Sequence, residues 1–383
     1  MGAPFRRDMF VARSFSKSPS SVRSGMKGRV VFHGAPTELG FMCLVEAINR
    51  SRLTALSIRH CIHSLFNRAI RFLTVPVIFL SSVPAIRAAN NPGIVKGTDQ
   101  FEFVYRVKLP EIKGQARVWI PLAKTDAFQT VTEEELNIPM KWEKVHDRDY
   151  GNDICVLYPQ PDDSGKAIEV KYRVVRREKA AYPAGNTDAA RYLRPERLVP
   201  VNETFRTLAQ KAAAGKTSDL ERAKALYDHV IGRMRYDKSG TGWGRGDAVY
   251  ACDVRTGNCS DFHAYFIALA RSIGIPARFA IGATIPADRN EGTIDGYHCW
   301  AEFLANGRWV PVDISEAWKN PKLADYYFGH NPANRFELTK GRDLVVDPEP
   351  ASGPINFLAY PLLEMNGQVI KTETTFKFRR IGA

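Results

Sequence analysis

Cysteine is scarce in this chain, 6 in 383 residues, so a disulfide framework does not organise the fold. No C-x-x-C or H-x-x-x-H pair occurs, so Cys252, Cys259, His263, His298 and Cys299 lack the spacings of a zinc site. The glycine-rich stretch 236–257 has no Gly-Lys-Ser/Thr ending, which excludes a phosphate loop, and no other cofactor motif is present. Long apolar runs are missing too. The longest, 72–86, has 15 residues and contains Pro76 and Pro84, against the ~20 apolar residues that span a bilayer. Acidic residues are nearly absent from residues 1–89, which hold 13 Lys/Arg against 3 Asp/Glu. The rest carries 41 basic and 38 acidic residues, so the formal charge of +13 implies no basic face and no nucleic-acid partner.

What the basic segment does contain is an export pattern. Arg68 and Arg71 precede the apolar run 72–80, and small residues follow, with plausible cuts after Ala85 or Ala88. The reading is an N-terminal extension over 1–89 with an export signal at about 66–88, giving a periplasmic or extracellular protein without a stable membrane span. The native start is expected near residue 65. Cys155, Cys252, Cys259 and Cys299 then remain, and no cysteine lies close enough to the run for lipid attachment.

From 98 to 178 the chain reads as strands. Residues 101–109 and 168–174 alternate apolar with mostly polar positions, and 117–120 and 154–158 lie between them. Period-two runs with Pro, Gly, Asn and Asp punctuation predict a β-sandwich-like domain, with Cys155 as a packing residue. A linker follows at 179–200, then a catalytic domain over 201–350 and a β-hairpin extension over 351–383. Helices are expected at 202–214 and 219–235, the second opened by the capping box of Ser218 and Glu221.

Residues 260–272 form a further helix, with Phe262, Phe266, Leu269 and Ile273 on one stripe and Gly274 and Pro276 beyond it. Asn258 is a good N-cap and Asp261 suits the first turn. Cys259 then opens the helix, where free N–H groups and the positive helix end favour a thiolate. Downstream, Ala305-Asn306-Gly307-Arg308 is a two-residue hairpin. Its register extends to place Trp300 opposite Asp313 and His298 opposite Ser315. His298 and Asp313 thereby become diagonal neighbours on one face, while Cys299, on the other face, points into the core. Cys259, His298 and Asp313 are the parts of a thiol nucleophile, its base and the base's orienter. His263, one turn beyond Cys259, reads as a hydrogen-bonded structural histidine, with a supporting or proton-relay role open.

Gly257-Asn-Cys259-Ser-Asp261, Gly274-Ile-Pro-Ala-Arg278, Tyr297-His298-Cys-Trp300 and Pro311-Val-Asp313 together resemble the bacterial transglutaminase-like domain of the papain-like thiol superfamily. The resemblance covers about residues 200–320. It implies an α+β fold: a papain/transglutaminase-like core, whose cysteine-bearing helix packs on an antiparallel sheet, joined to an N-terminal β-rich domain. It also implies a Cys259–His298–Asp313 triad. Cys299, where alanine is usual, and Ser260 depart from the commonest pattern without removing a catalytic group.

Acyl transfer on a peptide or protein amide is the expected chemistry, with hydrolysis favoured because water is always present. A protein-crosslinking transglutaminase and a non-catalytic binding module on the same fold are the alternatives. The Cys259 backbone N–H would help hold the oxyanion; Trp243 is either the second donor or a stacking wall. Trp300 is expected to shield the His–Asp pair, and 286–296 to shape the substrate groove. Cell-wall peptide is one candidate substrate. No cofactor or metal is expected.

Overall fold

The computed structural model describes residues 93–382; the export segment, Cys43 and Cys61 lie outside them. Alternation in the strand Thr98–Lys108 is strict enough to bury Phe101, Phe103, Tyr105 and Val107 completely. This strand sits at the centre of an antiparallel sheet ordered Glu291–Ile294, Glu373–Arg380, Thr98–Lys108, Ala167–Arg177, Gln129–Asn137. A second antiparallel sheet runs Gln368–Ile370, Leu362–Met365, Ala116–Leu122, Asp153–Leu157, Trp142–His146. Val118, Ile120, Leu122, Cys155 and Leu157 from the second sheet join the apolar core with the buried rows of the first. Burial pushes the Cys155 thiol up to about 12, as suits a packing residue.

Two features of this sandwich depart from the alternation pattern. Gln129–Asn137 and Trp142–His146 are strands, although neither shows a clean apolar row. Both are edge strands and need only one paired side, which relaxes the alternation. The sandwich also draws strands from far along the chain, with Glu373–Arg380 beside Thr98–Lys108 and Leu362–Met365 beside Ala116–Leu122. Glu291–Ile294, in the segment leading to His298, pairs with Glu373–Arg380 and so ties that segment to the sandwich.

The other half is built on a sheet ordered Arg335–Lys340, Ala277–Thr284, His298–Ala305, Arg308–Val312, Tyr182–Pro183. The helix Cys259–Ser272 packs against this sheet, and Glu203–Ala212, Asp219–Arg233 and Ala248–Val254 pack around the helix. Every residue of Cys259–Ser272 is therefore buried, a correction to the single apolar stripe expected for it. The fold is α+β, a cysteine-bearing helix on an antiparallel sheet with a β-sandwich beside it.

Between the halves, 179–200 is more than a surface linker. Lys179 is fully buried and pairs with Glu302 (2.9 Å) and Glu337 (3.3 Å). Tyr182–Pro183 adds the edge strand beside Arg308–Val312. Among the described residues no helix is long and apolar enough to cross a membrane.

The Asn-Gly hairpin has the expected register, with Ala305 opposite Arg308 and Ala301 opposite Val312. Asn306 and Gly307 take φ of 51° and 71°, the left-handed pair of a type I′ turn. Beyond Val312 the extrapolated pairing fails. Asp313 leaves the strand to cap the helix Ile314–Lys319, its carboxylate accepting the Glu316 N–H. Ser315 lies in that helix, so neither His298–Ser315 nor Trp300–Asp313 is a strand pair. Asp313 followed by Glu316 is itself an N-cap signature, and it wins over continued pairing.

Candidate active site

The site begins with the cap on the cysteine helix. Asn258 Oδ1 accepts the Ser260 N–H (2.9 Å), and Asp261 Oδ2 accepts the Asn258 N–H (3.0 Å). Asp261 also accepts N–H groups from Gly244 (2.7 Å) and Gly246 (3.0 Å), so one carboxylate ties the glycine loop to the helix start. A side chain at Gly257 would collide with that carboxylate. These contacts fix the loop's backbone and leave the Cys259 N–H, first in the helix, outside the capping bonds.

Cys259 and His298 are 2% and 6% exposed, so the thiol is recessed rather than displayed. Burial alone would raise the Cys259 pKa. Hydrogen bonds to Cys299 and His298, with the His298 charge, outweigh it and hold the thiol well below its ordinary range. His298 Nε2 donates to Asp313 Oδ2 at 2.7 Å, which leaves Nδ1 for the thiol. Burial lowers the His298 pKa, but Asp313 and Cys259 raise it further, to about 9. The pair therefore favours thiolate and imidazolium.

Asp313 is completely buried and fully engaged. Oδ1 accepts from Ser315 Oγ (3.2 Å) and the Glu316 N–H (3.1 Å), while Oδ2 takes His298 and Arg335 (3.2 Å). Burial would raise its pKa; His298 and Arg335 overcome this and hold the carboxyl far below the usual range. Arg335 is itself buried, and nothing in the alternating 335–340 sequence marks it as the partner of Asp313.

Cys299 corrects the sequence reading. It does point to the core face, but the first turn of Cys259–Ser272 rests on that face, so its sulfur meets the Cys259 thiol. It also lies 3.6 Å from His263 Nδ1. His263 is fully buried and cannot line a groove. Its Nδ1 donates to the Cys259 carbonyl (2.7 Å) and its Nε2 accepts the Ile314 N–H (3.0 Å), joining the cysteine helix to the helix after Asp313. Burial lowers its pKa, consistent with the neutral ring these bonds require.

Trp300 is buried, its ring 6.3 Å from that of His298, a wall beside the imidazole. Trp243 is half-buried in the glycine loop, and its indole N–H bonds to none of the described residues. A cleft of ≈ 170 Å³ opens at His298, walled by Tyr236, Lys319, Pro286, Asp295 and Gly296. Residues within 286–296 thus border the site. Tyr297, not singled out for a role from sequence, locks the entrance: its hydroxyl accepts from Asn258 Nδ2 (2.9 Å) and donates to the Gly244 carbonyl (3.3 Å). Among the described residues no three His, Cys, Asp or Glu side chains are grouped to hold a metal ion.

Comparison with known proteins leads to the same segment. Residues 206–314 match the Transglutaminase-like superfamily. An uncharacterized protein of Haemophilus influenzae is 24% identical over 359 residues, 80% of this chain and 97% of that protein. The uncharacterized protein YebA of Bacillus subtilis is 25% identical over 238 residues, 56% of this chain but 31% of YebA. The crystal structure of a candidate cysteine protease from Cytophaga hutchinsonii shares the fold, with a TM-score of 0.53 at 17% identity, covering 75% of this chain and 92% of that one. The matched segment holds the cysteine helix and the Cys–His–Asp cluster, so it is over this segment that the chain is similar to the Transglutaminase-like superfamily.

Proposed function

We propose that the chain catalyses thiol-dependent acyl transfer on peptide or protein amides, with water as the acceptor. The observation that supports this is the continuous hydrogen-bonded line from the Cys259 thiol through His298 to Asp313. Cys259 thiolate attacks the amide carbonyl and forms a C–S bond, the oxyanion lying against the Cys259 N–H. The C–N bond breaks as His298 gives its proton to the departing amine. Water then attacks the thioester, His298 takes its proton, and the carboxylic acid leaves as the thiol re-forms. Asp313 keeps the imidazole oriented and stabilises its charged form. Trp243 is the side chain we assign as second oxyanion donor. The export pattern at about 66–88 supports a location outside the cytoplasm, where cell-wall peptide is a substrate within reach.

Incubating a peptide library with the protein, with and without a primary amine, tests the reaction by product mass. Hydrolysed peptides in both samples support the proposal, whereas amine adducts transfer it to a crosslinking transglutaminase. No products, with Cys259 alkylated like a model thiol and unchanged by His298→Ala, would leave a binding module.

A further inference from the structure

A second cavity, ≈ 510 Å³, adjoins the His298 cleft through the contact of Tyr360 with Tyr297. Tyr360 lines the second cavity and its hydroxyl accepts the Tyr297 N–H (3.3 Å). Tyr297 in turn bonds Asn258, the residue preceding the nucleophile. Their rings meet edge to face at 5.4 Å. The second cavity is thus one hydrogen bond from the residue before His298, and that residue is one hydrogen bond from the residue before Cys259.

The charges lining the two cavities differ. The His298 cleft mixes Asp288, Asp295 and Glu316 with Arg289 and Lys319. The second cavity is lined by Arg197 and Arg245 and by no carboxylate. Arg197 is already committed, donating to the Pro354 carbonyl (2.8 Å) and lying 3.6 Å from Asp343. Arg245 is not. Its backbone carbonyl is held by Asn356 Nδ2 (2.8 Å) and Arg342 (3.2 Å), and Asp261 grips the N–H groups on either side of it. Its exposed guanidinium bonds to none of the described residues. A backbone held on both sides thus carries a free bidentate donor at the wall of a cavity that Phe357 and Tyr360 also line.

We propose that this cavity is the acyl-side or leaving-side subsite for a peptide carboxylate, with Arg245 as the group that selects it. The proposal rests on the acyl-transfer reading above and adds its substrate class: peptides carrying a negative charge close to the cleaved amide. The carboxylate comes either from an acidic side chain or from a free C-terminus, and the chemistry of recognition is the same.

Four synthetic peptide pools separate these sources: Glu/Asp-containing or Gln/Asn-containing, each with a free or amidated C-terminus. Cleavage by the full chain is followed by mass spectrometry. Dye-labelled members of each pool are also titrated against Cys259→Ala by fluorescence anisotropy. Carboxylate-bearing pools are expected to give about tenfold higher kcat/KM than the neutral, amidated pool, the scale of a charged hydrogen bond. Arg245→Glu removes that advantage, read as the ratio of carboxylate-pool to neutral-pool kcat/KM, and Arg245→Lys restores part of it. Equal cleavage of all pools, or an equal loss on all pools in Arg245→Glu, overturns the subsite and leaves the acyl-transfer reading standing. If no pool is cleaved, the acyl-transfer reading fails and the anisotropy decides: tighter binding of carboxylate pools, lost on adding Arg245→Glu, sustains the subsite, and equal binding ends it.

Discussion

Arg335 and His298 bind the same oxygen of Asp313, at 3.2 and 2.7 Å. The carboxylate is thus clamped between a fixed cation behind it and a titrating one in front. Arg335→Gln leaves a buried carboxylate with one cation fewer. Breaking a buried pair in this way costs about 3–5 kcal/mol. Urea denaturation at neutral pH is expected to show that loss, with Arg335→Lys intermediate because an ammonium keeps the charge but not the fork. A loss under ~1 kcal/mol, the scale of an exposed pair, counts against the clamp.

The pH dependence follows from opposite shifts on neighbouring groups. Cys259 is held low and His298 is raised to about 9, so the ion pair persists between the two. Alkylation of Cys259 by iodoacetamide is expected to stay fast well below the ~8.5 midpoint of a free thiol. Peptide turnover is expected to fall as pH rises through about 9, where His298 loses the proton it must donate. Stability moves the same way on that side. The contribution of His298 is fully present below its unfolded pKa of ~6.5 and disappears as pH rises through the folded value. Asp313 behaves oppositely: its contribution holds above ~3.9 and is lost as pH falls through its depressed folded pKa. In His298→Ala the alkylation midpoint should return towards that of an ordinary thiol.

Cys299 supports the thiolate rather than replacing it. Its own pKa is driven up by burial and by Cys259, so it stays protonated and can donate to the Cys259 sulfur. Cys299→Ala removes that donor while keeping a small apolar residue in the core. The alkylation midpoint of Cys259 is expected to rise by about one unit, equivalent to one hydrogen bond of ~1.4 kcal/mol, with turnover retained. An unchanged midpoint would show that the contact carries no weight.

The parts legible in the sequence were those fixed by local chemistry. The Asn258 cap sets where the helix starts, Asn306-Gly307 sets the hairpin register, and Ser218 with Glu221 opens Asp219–Arg233. Each depends on bonds spanning a few residues. What escaped was decided by long-range packing or by competition. Asp313 had two local options, and capping outcompeted strand pairing. Strand alternation puts Cys299 on the core face, yet which helix end covers that face depends on how Cys259–Ser272 lies across the sheet. Arg335 meets Asp313 from 22 residues away, and its strand pattern carries no trace of that contact.

Lys179 presents a final case, in which chemistry far from the thiol holds the histidine strand in place. It bridges Glu302, on the strand His298–Ala305, to Glu337, and Arg278 and Tyr182 complete the shell of Glu302. Burial would raise the Glu302 pKa, but Lys179 and Arg278 outweigh it and keep the carboxylate charged. Lys179→Met therefore takes one cation from each of two buried carboxylates, leaving Glu302 to Arg278 and Glu337 to Lys340 (2.7 Å), at a cost of up to about 3–5 kcal/mol. Adding Glu302→Gln should return part of that loss, because the single substitution penalises an unpaired charge more than a missing attraction. A urea-denaturation double-mutant cycle measures the difference. If the two losses simply add, Lys179 and Glu302 are not coupled.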